Sequence, residues 1–548
     1  MLALVSTSKI SCAFWPCLDR FFFSMNGCVL FNFILMSEAT LGRDLAQAAR
    51  VQDRIQGRDR DYGNVLWQQP HLLDLSYLEL ESRNLEIKAE RLRGTTSDEM
   101  RERLFDYLRG EAGIKAVVVC FSDLEGRLHT LDYDKNFIIK SEDNLTFDGS
   151  SIRGFTKLSQ SDLRLKADWT SFRWLPADLF GPGKVMVFGN VCNDDGSFYK
   201  SDFRSALMEM CREIKEKDGL VVNIAPEIEG FLFKGEKAEQ VFDEKVGFEL
   251  ATMSGYFSSL PQDTLRLFID KFAEVQRALA FENEKDHPEV APAQFELNFC
   301  YSVALDTADQ IQLYKLLARQ VAKAMGLTAS FLPKPIANLN GNGMHTNISL
   351  SREGKNLFYD AADKHKLSAF AYRFTTGVLY RANDICLAMN ASVNSYRRLD
   401  PNFEAPNAIK FSSIDRGSMV RIPIGNERSS RIEVRTVAPD ANPYLCFYAI
   451  VKAGLDAVKA EDHVLKEMEE IVYGGEVQKL PGNIYDAIGY FMESPFIADV
   501  LGEENRDKYV ELKSEAADRS PKALGTKVKS REILDHHEVT NQMIEADF

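Results

Sequence analysis

Acidic side chains interrupt a segment whose other residues demand a strand. In VVNIAPEIEGFLF (221–233), β-branched and aromatic residues predict extended structure, yet two glutamates fall within it. Side chains alternate with period two along a strand, so Glu227, Glu229, Phe231 and Phe233 project from one face. Neighbouring carboxylates on a partly aromatic face repel each other, and a divalent cation would compensate them. A solvated edge strand would tolerate them without one.

Further charges break strand-like runs elsewhere. HPEVAPAQFELNF (287–299) offers Glu289 and Glu296, which would face opposite ways on one straight strand. Pro292 between them allows a bend, or two strands, to bring both carboxylates to one site. SSRIEVRTV (429–437) predicts a strand with Arg431, Glu433 and Arg435 on one face and Ile432 and Val434 on the other. That pattern fits a structural ion-pair ladder, and it equally fits a site where a cation and an anionic ligand lie side by side. NGNGMHTNISLS (340–351) sets His345 between a glycine-rich turn and a strand-like alternation. NSYRRLDPNFEAP and SSIDRGSMVRIP add Arg398, Glu404, Arg416 and Arg421. Pro401, Asn402 and Pro406 put Glu404 on a loop, where catalytic groups are common.

Carboxylates with a single imidazole suit Mg²⁺ or Mn²⁺ rather than zinc. Two such cations, with arginines to spread developing charge, form the usual apparatus of phosphoryl transfer. The chain has no GxxxxGK[ST] loop and no strand-linked GxGxxG, so neither a P-loop nor a Rossmann crossover holds a nucleotide.

With 548 residues the chain can bury a large core, and about two to four domains are expected. A net charge of −15 argues against a nucleic-acid partner, whose phosphates require Lys and Arg. Nine cysteines, an odd number with no CxxC pair, predict neither a disulfide framework nor a zinc-thiolate site, and point to a reducing compartment. Residues 1–36 read as an apolar leader or a non-native start, with Met25 or Met36 as the expected true beginning. A targeting segment and a membrane anchor are the other readings. Residues 37–95 read as a helical extension, an accessory helix or oligomer contact, best represented by LSYLELESRNLEIKAERLR.

Residues 96–200 read as a small, mostly β domain. It opens with a helix over TSDEMRERLFDYLRG, followed by strands around a turn at Asp123–Gly126 and at 183–191. Residues 201–548 read as a mixed domain. DTLRLFIDKFAEVQRALAF predicts a helix burying Leu265, Phe268, Ile269, Phe272 and Val275. TADQIQLYKLLARQVAKAMG predicts one opening on a Thr307/Gln310 capping box and ending at Gly326. NPYLCFYAIVKAGLDAV predicts one capped by Asn442, with Pro443 at its first position.

Seven segments in order, FDGSSIRGF, PEIEGFLF, HPEVAPAQFEL, FLPKPIANLNGNGMHTNISL, NSYRRLDPNFEAP, RIPIGNERSSRIEVR and DANPYLCF, resemble glutamine synthetase of type I over roughly residues 96–500. The resemblance implies an α+β fold, with a small β-grasp N-terminal domain ahead of a larger α/β catalytic domain. It implies one metal held by Glu229, Glu289 and Glu296 and a second by Glu227, His345 and Glu433. Glutamate would meet Asn340, Gly341, Arg398 and Arg435, with His345 nearby. Ammonium would sit near Asp148, Ser151 and Glu404, and ATP near Ser349, Arg416, Arg421, Arg428 and Arg431. Asp148, Glu404 and Arg416 would take part in the chemistry, with Glu404 as the base. The implied reaction ligates ammonia to L-glutamate through a γ-glutamyl phosphate, using Mg²⁺ or Mn²⁺ and ATP. A cytoplasmic homo-dodecamer of two six-membered rings is expected, with no nucleic-acid or membrane partner. A γ-glutamyl ligase for an organic amine is the near alternative, and a non-catalytic relative that kept the fold is a remoter one. Asn347 stands where some relatives carry His, and Arg428 where Lys is common. Tyr485 resembles a tyrosine that some relatives adenylylate. The stretch between Gly230 and Tyr256 lacks the insertion that accompanies such control, so an ordinary surface or packing tyrosine is expected.

Overall fold

The structure, a computed structural model, describes residues 75–156, 161–242, 246–258, 263–399 and 405–518. The apolar leader, most of the extension, and Glu404 with its loop lie outside the described residues.

The smaller of two sheets comprises β1 (Ala116–Ser122), β2 (Leu128–Asp134), β3 (Leu145–Asp148), β4 (Asp162–Trp174) and β5 (Lys184–Cys192), in the order β2-β1-β5-β4-β3. β1 and β2 are antiparallel around the expected turn, where Gly126 N donates to Asp123 O at 3.0 Å. β1 runs parallel to β5 and is buried on both faces, which is why its sequence is continuously apolar. Val117, Val119 and Phe121 pack under the helix Ser97–Gly110, whose capping box joins Thr96 and Glu99. Val118 and Cys120 turn the other way into the main core.

The larger sheet comprises β6 (Leu220–Lys234), β7 (Asn283–Pro288), β8 (Gln294–Phe299), β9 (Ser302–Val303), β10 (Leu327–Ser330), β11 (Met344–Arg352), β12 (Lys355–Asn356), β13 (Ala408–Ser412), β14 (Ser418–Arg421) and β15 (Ile432–Val434). Its main path is β13-β14-β15-β11-β6-β8-β7. β6 is therefore central, and the solvated-edge reading of its glutamates does not hold. Val222, Ile224, Ile228 and Leu232 of β6 enter the main core beside the helices Thr264–Ala278, Ala304–Ala324 and Pro443–Lys459. The opposite face carries Glu227 and Glu229. Further along that face Phe231 and Phe233 close into a separate small cluster with Ala238 and Ala291. One strand thus separates a dry core from a charged surface, because its two residue parities differ in polarity.

The helix Thr264–Ala278 buries the face that its periodicity predicts. Asn442 caps Pro443–Lys459 by accepting from Tyr444 N and Leu445 N. The helix Ala304–Ala324 departs from expectation. It starts before Thr307, whose hydroxyl donates to Ile224 O at 3.0 Å, so the Thr307/Gln310 capping box does not form. A carbonyl of β6 takes the hydroxyl that local sequence assigned to the helix end.

The helix Tyr77–Arg93 is more than an accessory. Asn84 donates to Trp174 O at 3.0 Å and Ala278 O at 2.7 Å, and accepts from Trp174 N at 2.9 Å. It thereby joins the small sheet to the helix Thr264–Ala278. Nearby, Arg91 pairs with Asp306 at 2.8 Å, and fully buried Arg204 bridges Asp168 and Asp309, both at 2.8 Å. Buried charges persist only when paired and hydrogen-bonded. This network therefore fixes four elements far apart in sequence: the helices Tyr77–Arg93, Phe203–Asp218 and Ala304–Ala324, and β4.

Candidate active site

Residues directly opposite in an antiparallel ladder share one face of the sheet. Register therefore predicts what meets what. β11 places His345 opposite Glu227 and Asn347 opposite Glu433, while β14 places Arg421 opposite Glu433. Across β6, Glu229 stands opposite Glu296, and Glu296 stands opposite His287 of β7. These pairs occupy successive rungs, two residues apart along the strands, so one charged face crosses the sheet.

Two clusters form along it. In the first, donor atoms of Glu227, His345 and Glu433 lie within 4.8 Å of one another. His345 Nδ1 is 3.4 Å from Glu227 and 3.7 Å from Glu433. Burial alone would raise the Glu227 carboxyl, but His345 and the Asn347 amide at 3.1 Å hold it down to about 2. In the second, His287, Glu289 and Glu296 lie within the same 4.8 Å limit. Here burial, reinforced by the charge of Glu229, pushes Glu289 up to about 7. Burial and the charges of Glu229, Glu227 and Glu289 push Glu296 well up too. A tight hairpin with Glu289 N donating to Gln294 O at 2.8 Å brings these two carboxylates together, by the bend at 288–294 that Pro292 allows.

The donor sets fit hard divalent cations. The first offers two carboxylates and an imidazole, and the second likewise. His287 Nε2 is buried without a hydrogen-bond partner beside Glu296, as expected of a nitrogen that awaits a ligand. Glu229, expected beside Glu289 and Glu296, is adjacent to them but directs Oε2 to Gly343 N at 2.8 Å and to Gln294.

Arginines flank the clusters. Glu433 is fully buried and accepts from Arg421 and Arg435, each at 2.6 Å. The expected Arg431–Glu433–Arg435 ladder is thus replaced: Arg431 instead donates to Asn347 at 2.8 Å, and Arg421 takes its place. Arg435 keeps a buried Nε without a partner. Arg398 donates to Thr436 O and Arg435 O, and burial lowers its guanidinium to about 10. Gly343 lies between Arg398 and His345, and a Cβ there would fall 2.8 Å from Arg398 Nη2 and from His345 Nε2. The glycine-rich turn is needed for space rather than for an unusual bend, since neither Gly341 nor Gly343 has a positive φ.

Other expected residues lie at varied distance from these clusters. Ser349 shares the face of His345 and Asn347, two positions along β11. Gly341 O accepts from Gln294 at 3.1 Å, and Asn340 is exposed beside it. Arg416 and Arg428 are exposed on the turns after β13 and before β15. Asp148 is exposed at the end of β3, where its carboxylate accepts from Ser150 and from Ser151 at 2.6 Å. Among the described residues, no hydrogen bond or ion pair joins it to the clustered carboxylates. Tyr485 donates to Ala517 O at 2.9 Å on the helix Glu503–Asp518.

Sequence reasoning missed His287 and the pair Tyr256 and Phe257. Those two rings stack at 3.9 Å, and Phe257 meets His287 edge-on at 5.1 Å. Phe257 has φ +52°, a strained value for a bulky residue. The signal for His287 was present in HPE, but only its cross-strand position opposite Glu296 shows its relevance.

Comparison with known proteins accords with this geometry. Residues 113–194 match the family description "Glutamine synthetase, beta-Grasp domain" and residues 200–528 match "Glutamine synthetase, catalytic domain". A glutamine synthetase of Clostridium saccharobutylicum is 34% identical over 413 residues, covering 73% of this chain and 91% of the relative. One from Staphylococcus epidermidis is 34% identical over 436 residues, covering 77% and 94%. In fold, the chain resembles the cryoEM structure of Plasmodium falciparum glutamine synthetase, with a TM-score of 0.69, 22% identity, and coverage of 78% and 97%. A GmaS/ADP complex gives a TM-score of 0.64 at 27% identity, with coverage of 76% and 95%. No helix among the described residues is long and apolar enough to cross a membrane. With a small β-grasp sheet, a larger α+β domain carrying paired acid–imidazole clusters, and family descriptions spanning both, the chain belongs to the glutamine synthetase family of ATP-dependent, metal-binding ligases.

Proposed function

We propose that the protein ligates ammonia to L-glutamate, giving L-glutamine, ADP and phosphate. The observation that carries this reading is the single sheet face holding two acid–imidazole clusters with Arg421, Arg435 and Arg398 beside them. Glu227, His345 and Glu433 would hold one cation. Glu289, Glu296 and His287, with Glu229 adjacent, would hold another. Bound there, Mg²⁺ or Mn²⁺ would act as a Lewis acid on phosphate oxygens.

A carboxylate does not react with ammonia at neutral pH because its leaving group is poor. Attack of the γ-carboxylate oxygen on the terminal phosphorus of ATP expels ADP and forms an acyl phosphate. Ammonia then attacks the acyl carbon and phosphate departs. Arg398 and Arg435, with Asn340 and Gly341, would orient glutamate, the unpartnered Nε of Arg435 being a donor suited to an anion. Ser349, Arg416, Arg421, Arg428 and Arg431 would attend the nucleotide, and Arg416 and Arg421 would stabilise charge on the transferred group. Ammonium must lose a proton before attack. Asp148 and Ser151 would attract the cation, and Glu404 would take that proton. Residues 96–200 would form the smaller domain and 201–548 the catalytic one, with 37–95 as an extension ahead of them. A cytoplasmic assembly of two stacked six-membered rings, the Asp148 loop serving a neighbouring subunit, completes the reading.

An organic amine in place of ammonia is the second reading. It is favoured by the exposed Tyr256–Phe257 stack beside His287, since aromatic faces attract alkylammonium groups. Phosphate release from ATP with Mg²⁺ and glutamate, comparing ammonium with several amines, decides between them. Release dependent on an amine but not on ammonium would overturn the first reading. Glu404→Ala should keep nucleotide binding and lose ammonia incorporation, and unchanged turnover would remove its assignment as base.

A further inference from the structure

The loop FDGSSIRGF (147–155) rests on the helix Glu503–Asp518. Arg153 Nη2 donates to Glu515 at 2.7 Å and to Leu512 O at 3.4 Å. Gly154, at φ +81°, lies so close to the helix that a Cβ would be 2.7 Å from Leu512 Cδ1. Phe155 O accepts from Tyr199 at 2.7 Å, and Tyr199 in turn accepts from Lys508 at 3.3 Å. The same helix is anchored by Lys513, which donates to Glu125 at 2.8 Å with both side chains buried. Three successive loop residues therefore contact one helix, directly or through Tyr199.

The front of the loop is held from β4 and from Ser161 just before it: Gly149 N donates to Ser161 O at 2.7 Å, and a Cβ on Gly149 would fall 2.6 Å from Leu163 Cδ1. Among the described residues β3 pairs only with β4, and the loop's first residues form a short turn closed on Asp148 by Ser150 and Ser151. A loop that serves a neighbouring subunit's site gains no alignment from its own subunit's charged face. Its placement depends on what its own chain supplies, β4 at the front and the helix Glu503–Asp518 behind.

We propose that Lys508, Leu512 and Glu515 are positioning residues that, together with β4, set where Asp148 and Ser151 stand, and so determine how well the site captures ammonium. This rests on the role given above to the Asp148 loop. The ion pair of Arg153 with Glu515 is partly exposed and weak alone, so the packing of Leu512 against Gly154 is the larger part of the brace.

The test compares the assembled wild type with Asp148→Asn, a Leu512→Ala/Glu515→Gln double variant, Arg153→Met and Arg153→Lys. In steady-state assays with Mg²⁺ and ATP, the double variant should raise KM for ammonium about tenfold, because small misplacements of a binding group cost this much. KM for glutamate and ATP should stay unchanged. Arg153→Met, a milder change should the double variant fail to fold, should raise KM for ammonium severalfold, with Arg153→Lys intermediate. A wild-type KM for ammonium in the brace variants, while Asp148→Asn raises it, overturns the brace. A lower kcat with all KM values unchanged also overturns it, since that signals only lost folded enzyme. A wild-type KM in Asp148→Asn instead removes the role of the loop itself.

Discussion

Replacing Glu296 by Gln should stabilise the metal-free protein and weaken its response to metal. Glu296 lies within 4.8 Å of Glu289, donor atom to donor atom, with Glu229 opposite it on β6. At an effective dielectric constant of about 20, two unit charges at that separation repel by about 3 kcal/mol. Taking up a proton relieves the repulsion but brings a similar penalty. Holding a carboxyl of ordinary pKa 4.5 protonated at pH 7 costs about 3 kcal/mol, at about 1.4 per pH unit. The amide is isosteric and uncharged, so it escapes either cost. For a chain of 548 residues, an unfolding entropy of about 2.1 cal/mol/K per residue makes about 1 kcal/mol worth roughly 1 °C. The metal-free variant should thus melt about 3 °C above the metal-free wild type. Metal at a hundredfold excess over its Kd should stabilise the wild type by about 2.7 kcal/mol, a similar rise in Tm. In the variant that rise should be halved or lost, since the second cluster forfeits a ligand. Differential scanning fluorimetry in EDTA, and then with titrated Mn²⁺, reads both effects. An unchanged or lower Tm in EDTA together with a full metal-induced rise would refute the assignment of this cluster.

Three further outcomes follow from the same geometry. Gly343→Ala, whose Cβ would crowd both Arg398 and His345, should lower activity at least about tenfold while leaving the far-ultraviolet circular dichroism spectrum unchanged. Arg91→Met should leave Asp306 without its partner at 2.8 Å and destabilise the fold by about 3–5 kcal/mol, read as a lower Tm at unchanged metal response. Burial alone would raise the Asp168 carboxyl, but Arg91 and Arg204 hold it below its ordinary value of 3.8. Its folded pKa is depressed, so its contribution is fully present above the unfolded value and fades as pH falls towards the folded one. Acid unfolding of Asp168→Asn, followed by tryptophan fluorescence, should therefore be shallower below pH about 4 than that of the wild type.

Local sequence determined a good deal. The alternation in 221–233 fixed a strand with carboxylates on one face. Periodicity placed the buried side of Thr264–Ala278, and Asn442 with Pro443 marked a helix start. Each of these depends on contacts between residues a few positions apart. Tertiary structure decided what depends on register between distant segments. It put His287 opposite Glu296, exchanged Arg431 for Arg421 at Glu433, and drew the Thr307 hydroxyl away from its helix to Ile224. It also turned the helix Tyr77–Arg93 from an appendage into a clamp through Asn84. A strand's own residues state which side is charged. Which charges meet is set by neighbouring strands, and a shift of one residue in pairing would send every partner to the other face.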